Sequence, residues 1–137
     1  MTRAWPLAAC ACCIGLAACG FAVEAPDDFL LTRTGQGTKL TLLVNDAGTI
    51  RCDGGRVRQI TSSMLISARD LVTNRDNDAK AGLKIPQSAG SVYRYTIRMQ
   101  DGTISFPDTA AVKHTELAPA EQYALQALAG PCRSLNR

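Results

Sequence analysis

The chain has 137 residues, 46% of them hydrophobic and 20% charged. That length suits one ordinary domain, and that balance excludes wholesale disorder, a collagen-like repeat and a multi-span membrane protein. Fifteen Lys and Arg against twelve Asp and Glu leave a formal charge of +3, too small an excess for a dedicated nucleic-acid binder.

Met1-Thr2-Arg3 makes a short positive start, and Ala4 to Ala18 is almost wholly apolar and small. A spanning helix needs about 20 apolar residues. This shorter stretch, ending in small residues, reads as an export signal. It closes on Leu16-Ala17-Ala18-Cys19. All four positions resemble the lipobox of bacterial lipoproteins: an aliphatic residue, two small ones, then the cysteine that is diacylated and becomes the first residue. Leu7-Ala8-Ala9-Cys10 spells the same letters, but only about half of a hydrophobic core precedes it. The resemblance implies a signal peptide over residues 1–18, lipidation at Cys19 and a place on the extracytoplasmic face of the cell membrane. Two acyl chains hold a protein stably, because each buried methylene contributes about 0.8 kcal/mol. Cys10, Cys12, Cys13 and Trp5 leave with such a signal. The 119 residues that remain carry fourteen basic and twelve acidic side chains, a charge of +2. Residues 19–28 hold Gly, Pro and three acids without periodicity, as a tether to a single domain over 29–137 would.

Phe29 to Thr34 predicts a first strand, closed by the turn residues Gly35-Gln36-Gly37. Lys39 to Val44 predicts a second, with Leu40, Leu42 and Val44 on one face and Lys39 and Thr41 on the other. Asn45-Asp46-Ala47-Gly48 is turn chemistry. Thr49 to Cys52 predicts a short third strand, with Ile50 and Cys52 opposite Arg51, before Asp53-Gly54-Gly55 turns again. Thr61-Ser62-Ser63 offers helix caps. Met64, Leu65, Ala68, Leu71 and Val72 then recur on one helix face, with Ile66 off the stripe. From Asn74 the chain is polar, and Gly82 to Gly90 with Pro86 predicts a loop. Val92 to Met99 is the clearest strand: Tyr93, Tyr95, Ile97 and Met99 alternate with Arg94, Thr96 and Arg98. Gln100-Asp101-Gly102 signals a hairpin, and Thr103 to Phe106 returns with Ile104 and Phe106 inward, ending at Pro107-Asp108. Pro119 suits a helix first turn. Ala120, Ala124, Ala127 and Leu128 form a narrow apolar face flanked by Tyr123 and Leu125, and Gly130-Pro131 stops the helix.

The expected order is β-β-β-α-β-β-α. It describes an α+β domain: an antiparallel sheet of about five strands with two helices on one face. After loss of the signal and lipidation of Cys19, Cys52 and Cys132 remain. In an oxidising compartment they are most simply a disulfide, closing a loop of 80 residues. A metal site needs clustered ligands, whereas the chain has one histidine and the segment after Cys19 has no C-x-x-C. A catalytic thiol needs a base and an orienting partner.

One pattern runs through this layout. Phe29 precedes a Gly35-Gln36-Gly37 turn, then come a second strand, a Leu-rich helix, the run Tyr93-Arg94-Tyr95-Thr96-Ile97-Arg98-Met99-Gln100-Asp101-Gly102 and a Leu-containing last helix. Over roughly residues 29–129 it resembles the emfourin-type protein inhibitors of thermolysin-like metalloproteases, and small exported actinobacterial proteins of similar layout. The resemblance implies an α+β fold and, as an alternative function, inhibition of such a protease. The lipidated signal, the segment from Thr49 to Ile60 and the two cysteines depart from it.

Catalytic chemistry finds little support. Asn74-Arg75-Asp76-Asn77-Asp78 spaces oxygens like the start of a calcium loop, but Ala79 and Ile85 stand where that loop wants Gly and a bidentate acid, so the run reads as a polar helix end. His114 beside Glu116 offers acid–base chemistry near neutral pH, against the reading of a solvated loop histidine. Asp27-Asp28 falls in the expected tether, where nothing holds two carboxylates in geometry. No G-x-S-x-G, H-E-x-x-H or phosphate-binding loop occurs. The expectation is a non-enzymatic binding module of the cell envelope, with no cofactor, metal or nucleic acid. Its partners are the membrane, through lipid, and a protein or anionic envelope component. Lys39, Arg51, Arg94 and Arg98 all lie opposite the inward faces of their strands, which predicts a cationic open face for an anionic partner.

Overall fold

The structure is a computed structural model that describes residues 27–135. The signal segment, Cys19 and the chain up to Pro26 lie outside the described residues. Six strands form one antiparallel sheet: β1 Asp27–Gly35, β2 Thr38–Asn45, β3 Thr49–Cys52, β4 Val57–Gln59, β5 Arg94–Met99 and β6 Gly102–Pro107. Their order across the sheet is β4-β3-β2-β1-β5-β6. Two helices, α1 Ser62–Lys80 and α2 Ala118–Ala129, complete the α+β architecture.

The alternation expected in the strands decides which face is covered. Phe29 and Leu31, Leu40, Leu42 and Val44, Ile50 and Cys52, Tyr95, Ile97 and Met99, and Ile104 and Phe106 are all buried on one side. Met64, Ala68 and Leu71 of α1 and Ala120, Tyr123, Ala124, Ala127 and Leu128 of α2 join them in one hydrophobic cluster. That cluster, Cys52 and Cys132 and the six strands lie within the described residues. Phe29 meets the Tyr123 ring edge-on, with centroids 5.4 Å apart. Ile66 and Leu125 stay exposed.

Three expectations change. The sheet has six strands rather than about five, because Val57–Gln59 pairs with β3 although all three residues are exposed. The first strand starts at Asp27, so Asp27 and Asp28 belong to the sheet and not to a tether. A register shift between Asp27 and Phe29 makes Asp28 the odd residue of a bulge. Burial pushes the Asp28 carboxyl above the ordinary carboxylate range; Asp46 adds to this and Arg69 opposes it. The first helix runs to Lys80, and the calcium-like run is its polar end, as expected. There Arg75 bonds Asp78 at 2.8 Å and Lys80 bonds Asp76 at 2.6 Å, the three- and four-residue spacings that meet on a helix. Finally, β5 starts at Arg94, with Tyr93 just before it.

Local chemistry sets the ends. The Thr61 hydroxyl accepts from the Met64 N–H at 3.2 Å and caps α1. Past Lys80 the chain crosses the outer side of β6, where the Ser105 N–H donates to the Leu83 carbonyl and the Ile85 N–H to the Ser105 carbonyl. This covers one edge of the sheet. The hairpin at Gly102 sits directly under the C-terminal end of α1: a Cβ there would lie 1.9 Å from the Ala79 carbonyl oxygen. Since backbone and not a pliant side chain stands in the way, Gly102→Ala is expected to cost about 2–3 kcal/mol. Urea unfolding checks this; a cost within error of zero would show that helix and hairpin separate freely.

Candidate functional site

The face opposite the helices carries no helix, and the 81–93 connection reaches it only near Arg94. In register this face presents three rows. The first runs Val57, Arg51, Leu43, Leu30, Arg98, Thr103 from β4 to β6. Arg51 and Arg98 are exposed, and Leu43 and Leu30 between them are half-buried. The second row is Thr41, Thr32, Thr96, Ser105, and the third Lys39, Thr34, Arg94, Pro107. Lys39, Arg51, Arg94 and Arg98 thus all stand on this face, as their alternation implied.

They do not act as one patch. Arg94 is consumed by the fold: its Nε donates to Ser105 Oγ at 3.0 Å, and its two Nη to the Ile85 carbonyl at 2.9 Å and Gln87 Oε1 at 3.3 Å. It fastens the 81–93 connection to the sheet, which removes it from a set of free cations. Lys39 lies in a different row, near the far end of β1 and β2. Arg51 makes one long contact to the Gly55 carbonyl, 3.3 Å. Arg98 hydrogen-bonds nothing among the described residues. The side chains of Arg51 and Arg98 are therefore the available ones, at the end of the sheet where the chain comes in to β1. Asp53 is used locally: its carboxylate accepts from the Thr41 N–H at 2.6 Å and the Thr41 hydroxyl at 3.1 Å.

The other end of β5 depends on Asp108. Its carboxylate accepts from the Ser91 hydroxyl at 2.8 Å and from the N–H groups of Val92, Tyr93 and Thr109 at 3.1, 3.1 and 2.9 Å. Burial pushes this carboxyl up, but the hydrogen bonds outweigh burial and hold it below its ordinary 3.8. A depressed folded value means that Asp108 adds stability above the unfolded titration and loses it as the pH falls through the folded one. Asp108→Ala is expected to cost about 2 kcal/mol at neutral pH, with the difference from the parent shrinking as the pH falls below the ordinary aspartate range. Paired urea curves at neutral and at acid pH measure it; an equal penalty at both would remove the electrostatic explanation.

The hollows on the bare face are shallow. One, of about 160 Å³, is lined by Asp27, Leu30, Leu43 and Arg98 among others; its neighbour, of about 140 Å³, by Asp27, Leu43, Arg51 and Val57 among others. Both are smaller than the roughly 300–1,000 Å³ of small-molecule sites, so the face suits a broad surface better than a buried ligand. A larger cleft, about 330 Å³, lies between the helices beside Ser67, Asp70, Arg75, Glu116 and Pro119. At its rim His114 Nδ1 stands 3.2 Å from Glu116 Oε1, both half-exposed. No hydroxyl or thiol among the described residues bonds His114, so the nucleophile–base contact of covalent catalysis is not made there. Among the described residues no three His, Cys, Asp or Glu side chains converge to hold a metal ion, and no helix is long and apolar enough to cross a membrane.

Cys52 of β3 and Cys132 beyond α2 are joined, with Cα atoms 5.8 Å apart and both side chains buried. The bond fastens the end of the chain against β3. Beside it Arg58 of β4 donates to the Pro131 carbonyl at 2.6 Å and to Ser134 Oγ at 3.1 Å. In comparisons with known proteins, the chain matches no family model, no curated protein and no solved structure.

Proposed function

We propose that this chain is a lipid-anchored, extracytoplasmic, non-enzymatic binding domain of the cell envelope that presents its bare sheet face to a partner. The observation that carries the reading is the row Arg51–Leu43–Leu30–Arg98 on an uncovered face, in a domain closed by a buried disulfide. Such bonds persist outside the reducing cytosol, which agrees with export through a signal ending in Leu16-Ala17-Ala18-Cys19.

Intact-mass analysis of protein taken from the membranes of producing cells tests this reading. The expected species lacks residues 1–18, carries acyl chains on Cys19 and is two hydrogens lighter for the disulfide. A retained Met1, or free thiols at Cys52 and Cys132, would reject it. Because the sole tryptophan is Trp5, the processed protein is also expected to show no indole fluorescence.

A further inference from the structure

We infer that the end of the bare face where β1 begins, Leu30 and Leu43 between Arg51 and Arg98, docks on the anionic phospholipid headgroups of the membrane that holds the chain. This rests on the lipid-anchored reading, and three observations carry it further. Seven residues separate Cys19 from Asp27, a reach of at most about 28 Å fully extended, so an anchor at Cys19 keeps the start of β1 beside the bilayer. Asp27, the first described residue, lines both hollows that flank Leu43. The two available guanidiniums stand three strands apart in that same row, a separation of about 14 Å, with the two leucines between them. Arginine pairs well with phosphate oxygens, and half-buried leucines suit the interfacial zone.

The other cations are excluded by position. Arg94 is bonded to Ser105, Ile85 and Gln87. Lys39 pairs opposite Thr34, four residues beyond Leu30, or about 13 Å farther along the strand from the anchored start of β1. Asp27 opposes an anionic surface. Its removal should therefore strengthen docking, a sign that loss of fold cannot imitate.

The test couples Cys19 chemically to a maleimide lipid, in a chain that begins at that residue. It therefore works whether or not the cell acylates the protein, and a failure of docking stays separate from a failure of the mass test. The probe is a bilayer disc of phosphatidylglycerol and phosphatidylcholine bearing a paramagnetic headgroup chelate, read by broadening of leucine methyl signals. The expected result is strong broadening at Leu30 and Leu43 and little at Leu125, which is exposed on α2. Arg51→Gln with Arg98→Gln should lower the docked population about tenfold, as should discs of phosphatidylcholine alone, while Asp27→Asn should raise it. Equal broadening at Leu30, Leu43 and Leu125, or indifference to headgroup charge, would overturn the inference. So would perturbation of Leu30 and Leu43 by soluble polyphosphate but not by the anionic disc, since the face would then belong to an acidic polymer.

Discussion

Replacing Cys52 and Cys132 together by alanine will lower the unfolding free energy by about 2–5 kcal/mol. The bond links positions 80 residues apart, so it removes a large amount of chain freedom from the unfolded state. The loop-entropy account places such a closure at the upper end of that range, about 4–5 kcal/mol. On the folded side, the segment after α2 loses its hold on β3. The Arg58 contacts to Pro131 and Ser134 then rest on an end free to fray. Urea unfolding of the double variant measures the loss, and hydrogen exchange of β4 and residues 131–135 locates it. A cost below about 1 kcal/mol would mean that the helix layer holds this end without the bond. Because both sulfurs are buried, a thiol reductant should act slowly on folded protein and rapidly in denaturant.

Phe29→Ala is expected to cost about 3–5 kcal/mol, the range for deleting a buried ring from a core. Phe29 is 2% exposed and lies on β1, in the middle of the sheet. It stands against the Tyr123 ring at 76°, edge to face. Its loss opens a cavity at the place where α2 meets the sheet, beside the Tyr123 hydroxyl, which is buried without a hydrogen-bond partner among the described residues. That hydroxyl is pushed up strongly, by burial first and by the Asp28 charge second. Phe29→Leu, which keeps most of the apolar volume, should cost far less than the alanine variant. Equilibrium denaturation of both decides the matter; equal penalties would point to strand pairing rather than core packing as the role of this position.

Much of the fold was legible because short-range chemistry wrote it. Leu40, Leu42 and Val44, and Tyr95, Ile97 and Met99, alternate with polar residues, and a period of two has one stable use, a half-covered strand. Thr61 and Pro119 marked helix starts for reasons internal to one turn. β4 escaped notice because Val57, Arg58 and Gln59 bury nothing: they are a strand through backbone bonds to β3 alone. The last turns of α1, Asn74 to Asp78, carry no apolar stripe, and their ion pairs on the helix surface take the place of burial. Asp27 and Asp28 looked like linker because a bulge breaks the alternation at the point where it begins.

What the amino-acid order determined unaided was five of the six strands and both helices, the inward and outward sides of β2, β3, β5 and β6, and the pairing of Cys52 with Cys132. These follow from side-chain period, capping chemistry and redox setting. Only the tertiary structure decided that β5 lies beside β1, that Arg51, Leu43, Leu30 and Arg98 share a row, and that Arg94 is spent on the 81–93 connection. Strand order and register arise from pairings between residues dozens of positions apart. No local pattern encodes which cation will stand beside which leucine, or which one the backbone will claim first.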